Sequence, residues 1–224
     1  LTGSSGWTEA GVRPQNPHVI PHEPHITNGK FKVMKKRLFA AIAATSLLLT
    51  GASASAAATK TAVFAGGCFW TVEKFFEQTP GVTAAVSGYS GGTSTSPTYD
   101  NHAGHLESVK VTYDPAKVSY AQLVDVFYHH IDPTDPTGQV CDKGPSYRTA
   151  IFAGSAQEKA IADAAKAKYE KQLGAKITVS TRNAAPFYNA EGYHQDFYKK
   201  NPDHYERYRI GCGRDRVLKV IWGS

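Results

Sequence analysis

A cysteine does nucleophilic chemistry where its thiolate is favoured, and Cys68 stands at such a place, in the stretch Ala65-Gly66-Gly67-Cys68-Phe69-Trp70. Upstream, Thr61-Ala62-Val63-Phe64 reads as a strand, and the paired glycines let the backbone turn sharply. Downstream, Phe69, Val72, Phe75 and Phe76 recur at helical spacing until Pro80-Gly81 ends the pattern. Cys68 is therefore expected in the first turn of a helix, where unpaired N–H groups and the positive dipole end favour a thiolate. On position alone a buried packing cysteine is an equal reading.

Other side chains could assist such a nucleophile. Glu107 lies at a loop-to-strand junction beside His105 and Leu106, where burial would raise its pKa and make it a general acid. A solvated carboxylate at a strand end is the plainer alternative, and the residues alone favour it. Tyr99 and Tyr147 each sit in a loop and offer hydroxyl donors, although the chain has 12 tyrosines and most tyrosines are half-buried packing residues. His102-x-x-His105 and His129-His130 raise the question of a metal. Without a C-x-x-C or H-E-x-x-H pattern no metal site is expected. Three cysteines are an odd count for a static disulfide framework and suit a catalytic thiol cycle.

These groups must be positioned by one domain. Residues 1–33 carry prolines, histidines and glycines without a hydrophobic period, and read as a disordered upstream extension. Residues 34–56 have the form of a secretory signal peptide: Met34 and Lys35-Lys36-Arg37, an apolar run from Leu38 to Leu49, then Ala52-Ser53-Ala54-Ser55-Ala56. The apolar run is shorter than the ~20 residues needed to span a bilayer. The expected location is periplasmic or secreted. Met34 is the chain's 1 methionine, so cleavage would leave a protein without any.

Residues 1–56 also hold much of the net charge of +6, leaving 19 basic and 17 acidic residues in 57–224. No basic run interleaved with aromatics remains there, so nucleic acid is not an expected partner, nor is a stable membrane partner. Residues 57–224 suffice for a single domain. Strands are expected at Val82–Tyr89, Leu106–Tyr113, Thr149–Ala153 and Ile177–Thr181. Helices should start at Ser119, whose apolar face carries Leu123, Val124, Phe127 and Ile131, and at Ser155, where Glu158 suggests a capping box. The order β-α-β-β-α-β-α-β predicts an α/β (α+β) fold, a ferredoxin-like split βαβ sandwich with a mixed sheet. After Pro186 the chain is expected to wrap the domain as an irregular tail, with one short helix near Tyr193–Lys199 and an apolar end at Val217–Trp222 that docks.

From about Thr61 to Tyr198 the sequence resembles the A-type peptide-methionine sulfoxide reductases. The matching segments are Gly66-Gly67-Cys68-Phe69-Trp70, Gly88-Tyr89-Ser90-Gly91-Gly92, Pro97-Thr98-Tyr99, Gly104-His105-Leu106-Glu107, Gln139-Val140-Cys141-Asp142 with Tyr147-Arg148, Pro186-Phe187-Tyr188 and Tyr193-His194-Gln195. The resemblance implies Cys68 as nucleophile, Phe69 and Trp70 as walls of a methyl pocket, and Glu107 as acid. It implies Tyr99, Tyr147 and Asp142 as further active-site groups, and His194 as a residue that orders the site. It implies reduction of methionine S-sulfoxide, free or in peptides, with no cofactor and with thioredoxin or a thioredoxin-like protein as reductant; a monomer is expected. The chain departs from the family pattern in two places. Cys141 stands where many members have asparagine, and Gly211-Cys212-Gly213 replaces their glycine-rich tail. Either Cys212 or Cys141 could resolve a sulfenic acid; Cys212, between glycines in a mobile-looking tail, is favoured. A thiol peroxidase would also use a helix-start cysteine, but its chemistry does not call for the Phe69-Trp70 pocket. An exported binding module would leave Cys68 inert.

Overall fold

The computed structural model describes residues 58–223; the expected upstream extension at 1–33 and signal peptide at 34–56 lie outside them. In chain order the elements are β1 (Lys60–Ala65), α1 (Phe69–Glu77), β2 (Val82–Ser90), β3 (Leu106–Tyr113), α2 (Tyr120–His129), the short strands β4 (Gly138–Gln139) and β5 (Asp142–Lys143), β6 (Ala150–Ala153), α3 (Ala156–Leu173), β7 (Ser180–Asn183) and β8 (Phe187–Asn189). Three helices follow: α4 (Phe197–Lys200), α5 (Pro202–Cys212) and α6 (Arg214–Trp222).

Six strands form one mixed sheet in the order β7-β6-β1-β3-β2-β8, while β4 and β5 pair as a separate ribbon. β1 is antiparallel to both β3 and β6, and β2 is antiparallel to β3. The unit β1-α1-β2 is thus split by β3, and the inner order β6-β1-β3-β2 is the ferredoxin-like arrangement the element order predicts. β7 joins β6 in parallel after the α3 crossover.

Helix starts follow the sequence. Ser119 makes a reciprocal capping box with Gln122. Ser155 Oγ accepts from Glu158 N at 3.1 Å, whereas the Glu158 carboxylate turns back one residue further, to Gly154 N at 2.7 Å. The apolar faces of α1 and α2 meet the sheet over Phe64, whose ring lies 4.8 Å from Phe76 and 5.2 Å from Phe127. Val72, Leu123, Val124 and Ile131 complete this core with no exposure. Truncating one of its phenylalanines to alanine costs about 3–5 kcal/mol, so α1 and the cysteine ahead of it are firmly held.

Two expectations are corrected. The strand expected at Ile177–Thr181 begins only at Ser180, because Ile177 and Val179 enter the core as extended chain before pairing with β6 starts. The tail is not irregular: α4, α5 and α6 are helices, with Pro202 at the start of α5 and Gly213 in the left-handed conformation at its end. Their side chains are mostly exposed, and α5 has no strong apolar stripe to announce it, whereas α6 carries the apolar end at Val217–Trp222. They are held by a few buried groups, chiefly Tyr205 and Arg214. The end of the chain does dock, with Trp222 Nε1 donating to Ile131 O at 3.1 Å.

Candidate active site

Cys68 is the residue that turns the chain from β1 into α1. It occupies the cap position, with φ −52° and ψ 120°, and its carbonyl accepts from Thr71 N at 3.1 Å. The turn requires glycine at 67, where φ is +86° and a Cβ would stand 2.5 Å from Gln139 Cβ. Cys68 is buried and is the free cysteine of the chain.

Glu107, near the start of β3, faces it from the central sheet. Its carboxyl is buried, and Oε2 accepts the amide N–H of Phe69, the first residue of α1, at 3.0 Å. Burial pushes its pKa up to about 8; the Phe69 N–H opposes this and the charge of Asp142 adds to it. Near neutral pH the carboxyl is therefore mostly protonated. The plainer reading of Glu107 as a solvated strand-end carboxylate is ruled out by its position.

The same geometry corrects the expectation for the thiol. A helix start was expected to lower the Cys68 pKa, yet burial, followed by the charges of Glu107 and Asp142, holds it well above the ordinary thiol range. The Phe69 N–H that could have served the sulfur goes to Glu107 instead. The Tyr208 hydroxyl and the Trp70 backbone act in the opposite direction on the thiol.

Tyr99, in the loop between β2 and β3, and Tyr147, in the 3-10 turn Pro145–Tyr147, come together closely enough for each to act on the other's ionisation. Burial first, then Glu107, raises the pKa of both, and the Cys68 charge also reaches both. Asp142, on β5, accepts from the Tyr208 hydroxyl at 2.6 Å, and Arg214 Nη2 lies 3.6 Å from the same oxygen.

An aromatic wall stands beside the sulfur. The Phe69 ring lies 4.9 Å from His194 and 6.4 Å from Tyr99. Trp70 stacks on Phe197 at 3.7 Å and donates from Nε1 to His194 Nδ1 at 3.0 Å. His194 is thereby fixed as a neutral ring protonated at Nε2, consistent with the lowering of its pKa by burial. Exposed Tyr193 and half-exposed Tyr99 mark where this wall reaches solvent.

All eight of the expected catalytic, pocket and ordering residues, Cys68, Phe69, Trp70, Tyr99, Glu107, Asp142, Tyr147 and His194, are brought into one site. The two rivals for resolution, Cys141 and Cys212, are bonded to each other across 71 residues. Cys212 is not in a loose tail but is the last residue of α5. The histidines that raised a metal are otherwise engaged: His102 meets Thr98 O and Ser146 Oγ, and His105 meets Gly92 N and Ser94 O.

Sequence reasoning missed three residues. Glu191 ties the loop of Tyr99 to the sheet by accepting from Tyr99 N at 2.8 Å and the Tyr89 hydroxyl at 3.0 Å. Tyr208 and Arg214 both hold Asp142. The spacing of Tyr208 one helical turn before Cys212 was an available signal, but only once α5 is known to be a helix.

Residues 60–224 match the family model described as peptide methionine sulfoxide reductase. The chain belongs to that family. It is 48% identical over 193 residues to peptide methionine sulfoxide reductase MsrA 2 of Rhizobium meliloti, covering 85% of this chain and 96% of that protein. It is 47% identical over 167 residues to peptide methionine sulfoxide reductase MsrA of Bacillus velezensis, covering 72% and 94%. Among solved structures, it is similar to reduced Mxr1 of Saccharomyces cerevisiae, with a TM-score of 0.61, 29% identity and coverage of 66% of this chain and 88% of that one. Methionine sulfoxide reductase A of Corynebacterium diphtheriae gives 0.58 and 32% identity, covering 66% and 77%. The family is one of oxidoreductases, and the relatives place this chain with its A type.

Proposed function

We propose that this reductase returns methionine S-sulfoxide, free or in oxidised proteins, to methionine through a sulfenic acid on Cys68. The observation that carries the reading is the buried, largely protonated Glu107 facing a buried free thiol beside an aromatic wall. The Cys68 sulfur attacks the sulfoxide sulfur while Glu107 gives its proton to the oxygen, with the Tyr99 and Tyr147 hydroxyls as donors to that oxygen. The oxygen passes to Cys68 as S–OH, methionine leaves, and the thiol's proton replaces the one Glu107 gave. Phe69 and Trp70 take the methyl group against their faces, and His194 holds the indole in place.

Regeneration uses the other two cysteines. A thiol of the reduced pair attacks the sulfenic sulfur and expels water; the other thiol attacks that mixed disulfide, freeing Cys68 and leaving Cys141–Cys212. The Cys141–Cys212 bond supports this order, because it pairs the two cysteines that the second step would join. Both cysteines adjoin residues that reach the sulfur: Cys141 precedes Asp142, and Cys212 follows Tyr208 by one turn. The geometry therefore leaves either as the first to attack. A thioredoxin-like dithiol then supplies two electrons and two protons, returning Cys141 and Cys212 to thiols and becoming a disulfide itself. The residues named in the site all come from one chain, and a monomer is proposed as the acting form. The sequence from Met34 to Ala56 supports a periplasmic or secreted location. Cys68→Ser tests the nucleophile: methionine formation should stop, because a hydroxyl near its ordinary pKa does not replace a thiolate. More than trace turnover would reject the assignment.

A further inference from the structure

Tyr208 reaches three parts of the site from a helix that sequence reasoning took for loose tail. Its hydroxyl donates to Asp142 Oδ2 at 2.6 Å. Its ring meets Trp70 edge-on, with centroids 5.9 Å apart and planes at 88°. Held against Asp142 and Trp70, the hydroxyl stands near enough to Cys68 to act on the thiol's ionisation. We propose that Tyr208 is a positioning residue for the nucleophile, its hydroxyl fixed by Asp142 so that it can serve the Cys68 sulfur when the thiolate forms. The assignment rests on the function proposed above, and extends it to a residue in the C-terminal helices.

Proton accounting explains the arrangement. A phenol has one hydrogen to donate, and in the resting site it goes to Asp142 while Cys68 keeps its own proton. As the thiolate develops, the same hydrogen turns toward sulfur, and Asp142 would be left charged and unsatisfied. Arg214 answers that need. Its guanidinium is 3% exposed, its Nη2 lies 3.6 Å from Asp142 Oδ2, and its Nε and Nη2 have no hydrogen-bond partner. A buried, unpartnered guanidinium edge is costly unless it is used at some stage of the cycle. Closing in on Asp142 as Tyr208 lets go is such a use. The groups facing the sulfur are Glu107 from β3, Asp142 from β5, Tyr99 and Tyr147 from their loops, and Tyr205 and Tyr208 from α5, with Arg214 of α6 behind Asp142. Of these, Tyr208 is the side chain that acts to favour the thiolate.

The test uses the oxidised protein, in which Cys141–Cys212 is closed and Cys68 is the free thiol. Tyr208→Phe keeps the ring against Trp70 and removes the hydroxyl. Alkylation of Cys68 by iodoacetamide below the thiol's pKa, and the single-turnover rate with methionine sulfoxide, should both fall by about ten- to a hundredfold, the value of a hydrogen bond to a charged acceptor. Substrate affinity should stay near that of the parent. Tyr208→Leu, which also loses the ring, should weaken substrate affinity as well. Parent-like rates in both assays for Tyr208→Phe would overturn the proposal. So would an affinity loss in Tyr208→Phe equal to that of Tyr208→Leu, since the ring would then be the working part. Slower alkylation supports the sulfur contact even if the parent reduces no sulfoxide, so a failure of the functional reading is seen separately.

Discussion

The framework that carries Cys68 and Glu107 and the C-terminal helices that carry Tyr208, Cys212 and Arg214 are built on opposite terms. β1, β3 and α1 lie in a continuous apolar core, with Phe64, Val72, Phe76 and Val109 unexposed. α5 and α6 expose most of their side chains, including Ile210 and Val220, and are held by Tyr205, Arg214, the docked Trp222 and one disulfide. The first region fixes a nucleophile and an acid whose pKa values depend on burial. On the cycle proposed above, the second approaches that pair, takes its oxidising equivalents to the surface as a disulfide, and gives them up to another protein. Rigid burial suits the first task, and attachment at a few points suits the second.

The largest effect should come from the framework. Glu107→Gln keeps shape and loses the proton, so the chemical step should slow by about 10² to 10⁴, measured in a single turnover. In the parent, that step should fall as pH rises through about 8, where the carboxyl ionises, and the variant should lose this dependence. Stability gives the companion sign. Because folding raises the Glu107 pKa above its ordinary 4.5, the charged form is penalised in the fold, and stability is lost as pH rises from that value toward about 8. Glu107→Gln should remove this decline, seen as a flatter pH profile of the unfolding midpoint.

A smaller chemical effect is expected from the C-terminal region. Replacing both Cys141 and Cys212 by serine should leave a protein that forms methionine once and stops, with Cys68 as a sulfenic acid that a dithiol must reach directly. Turnover with a thioredoxin-like donor should fall further than the first turnover. Losing the link across 71 residues should also lower stability, by up to about 4 kcal/mol on loop-closure entropy. An undiminished steady state in that double variant would mean that the C-terminal helices do not carry the oxidising equivalents.

The contrast also explains what was legible in the sequence. Phe69, Val72, Phe75 and Phe76 mark α1 because one face of it is buried, and β3 alternates for the same reason. The glycines before Cys68 are legible because Gly67 needs a positive φ and a close approach to Gln139, and a Cβ at Gly66 would stand 2.9 Å from Val72. The direction of the Cys68 pKa shift was not legible. It depends chiefly on how deeply the thiol is buried, and then on the charges of Glu107 and Asp142, which reach it from distant parts of the chain. Nor were the helices of the tail: α5 gives no apolar period to read, and the apolar run of α6 was read only as a docking end. The pairing of Cys141 with Cys212, and the meeting of Tyr208 with Asp142, exist only after those helices have packed.

The central claim is that Cys68 takes the oxygen while Cys141 and Cys212 take its oxidising equivalents. Intact-mass and peptide mass spectrometry, under non-reducing conditions with methionine quantified, tests it directly. Fully reduced protein given excess methionine sulfoxide and no dithiol should yield two methionines per chain. It should end with Cys141–Cys212 closed and one oxygen atom on Cys68, whereas protein that starts with the disulfide closed should yield one methionine and reach the same final state. Methionine formed with no oxygen on Cys68, or an equal yield from the reduced and oxidised starting forms, would contradict the account.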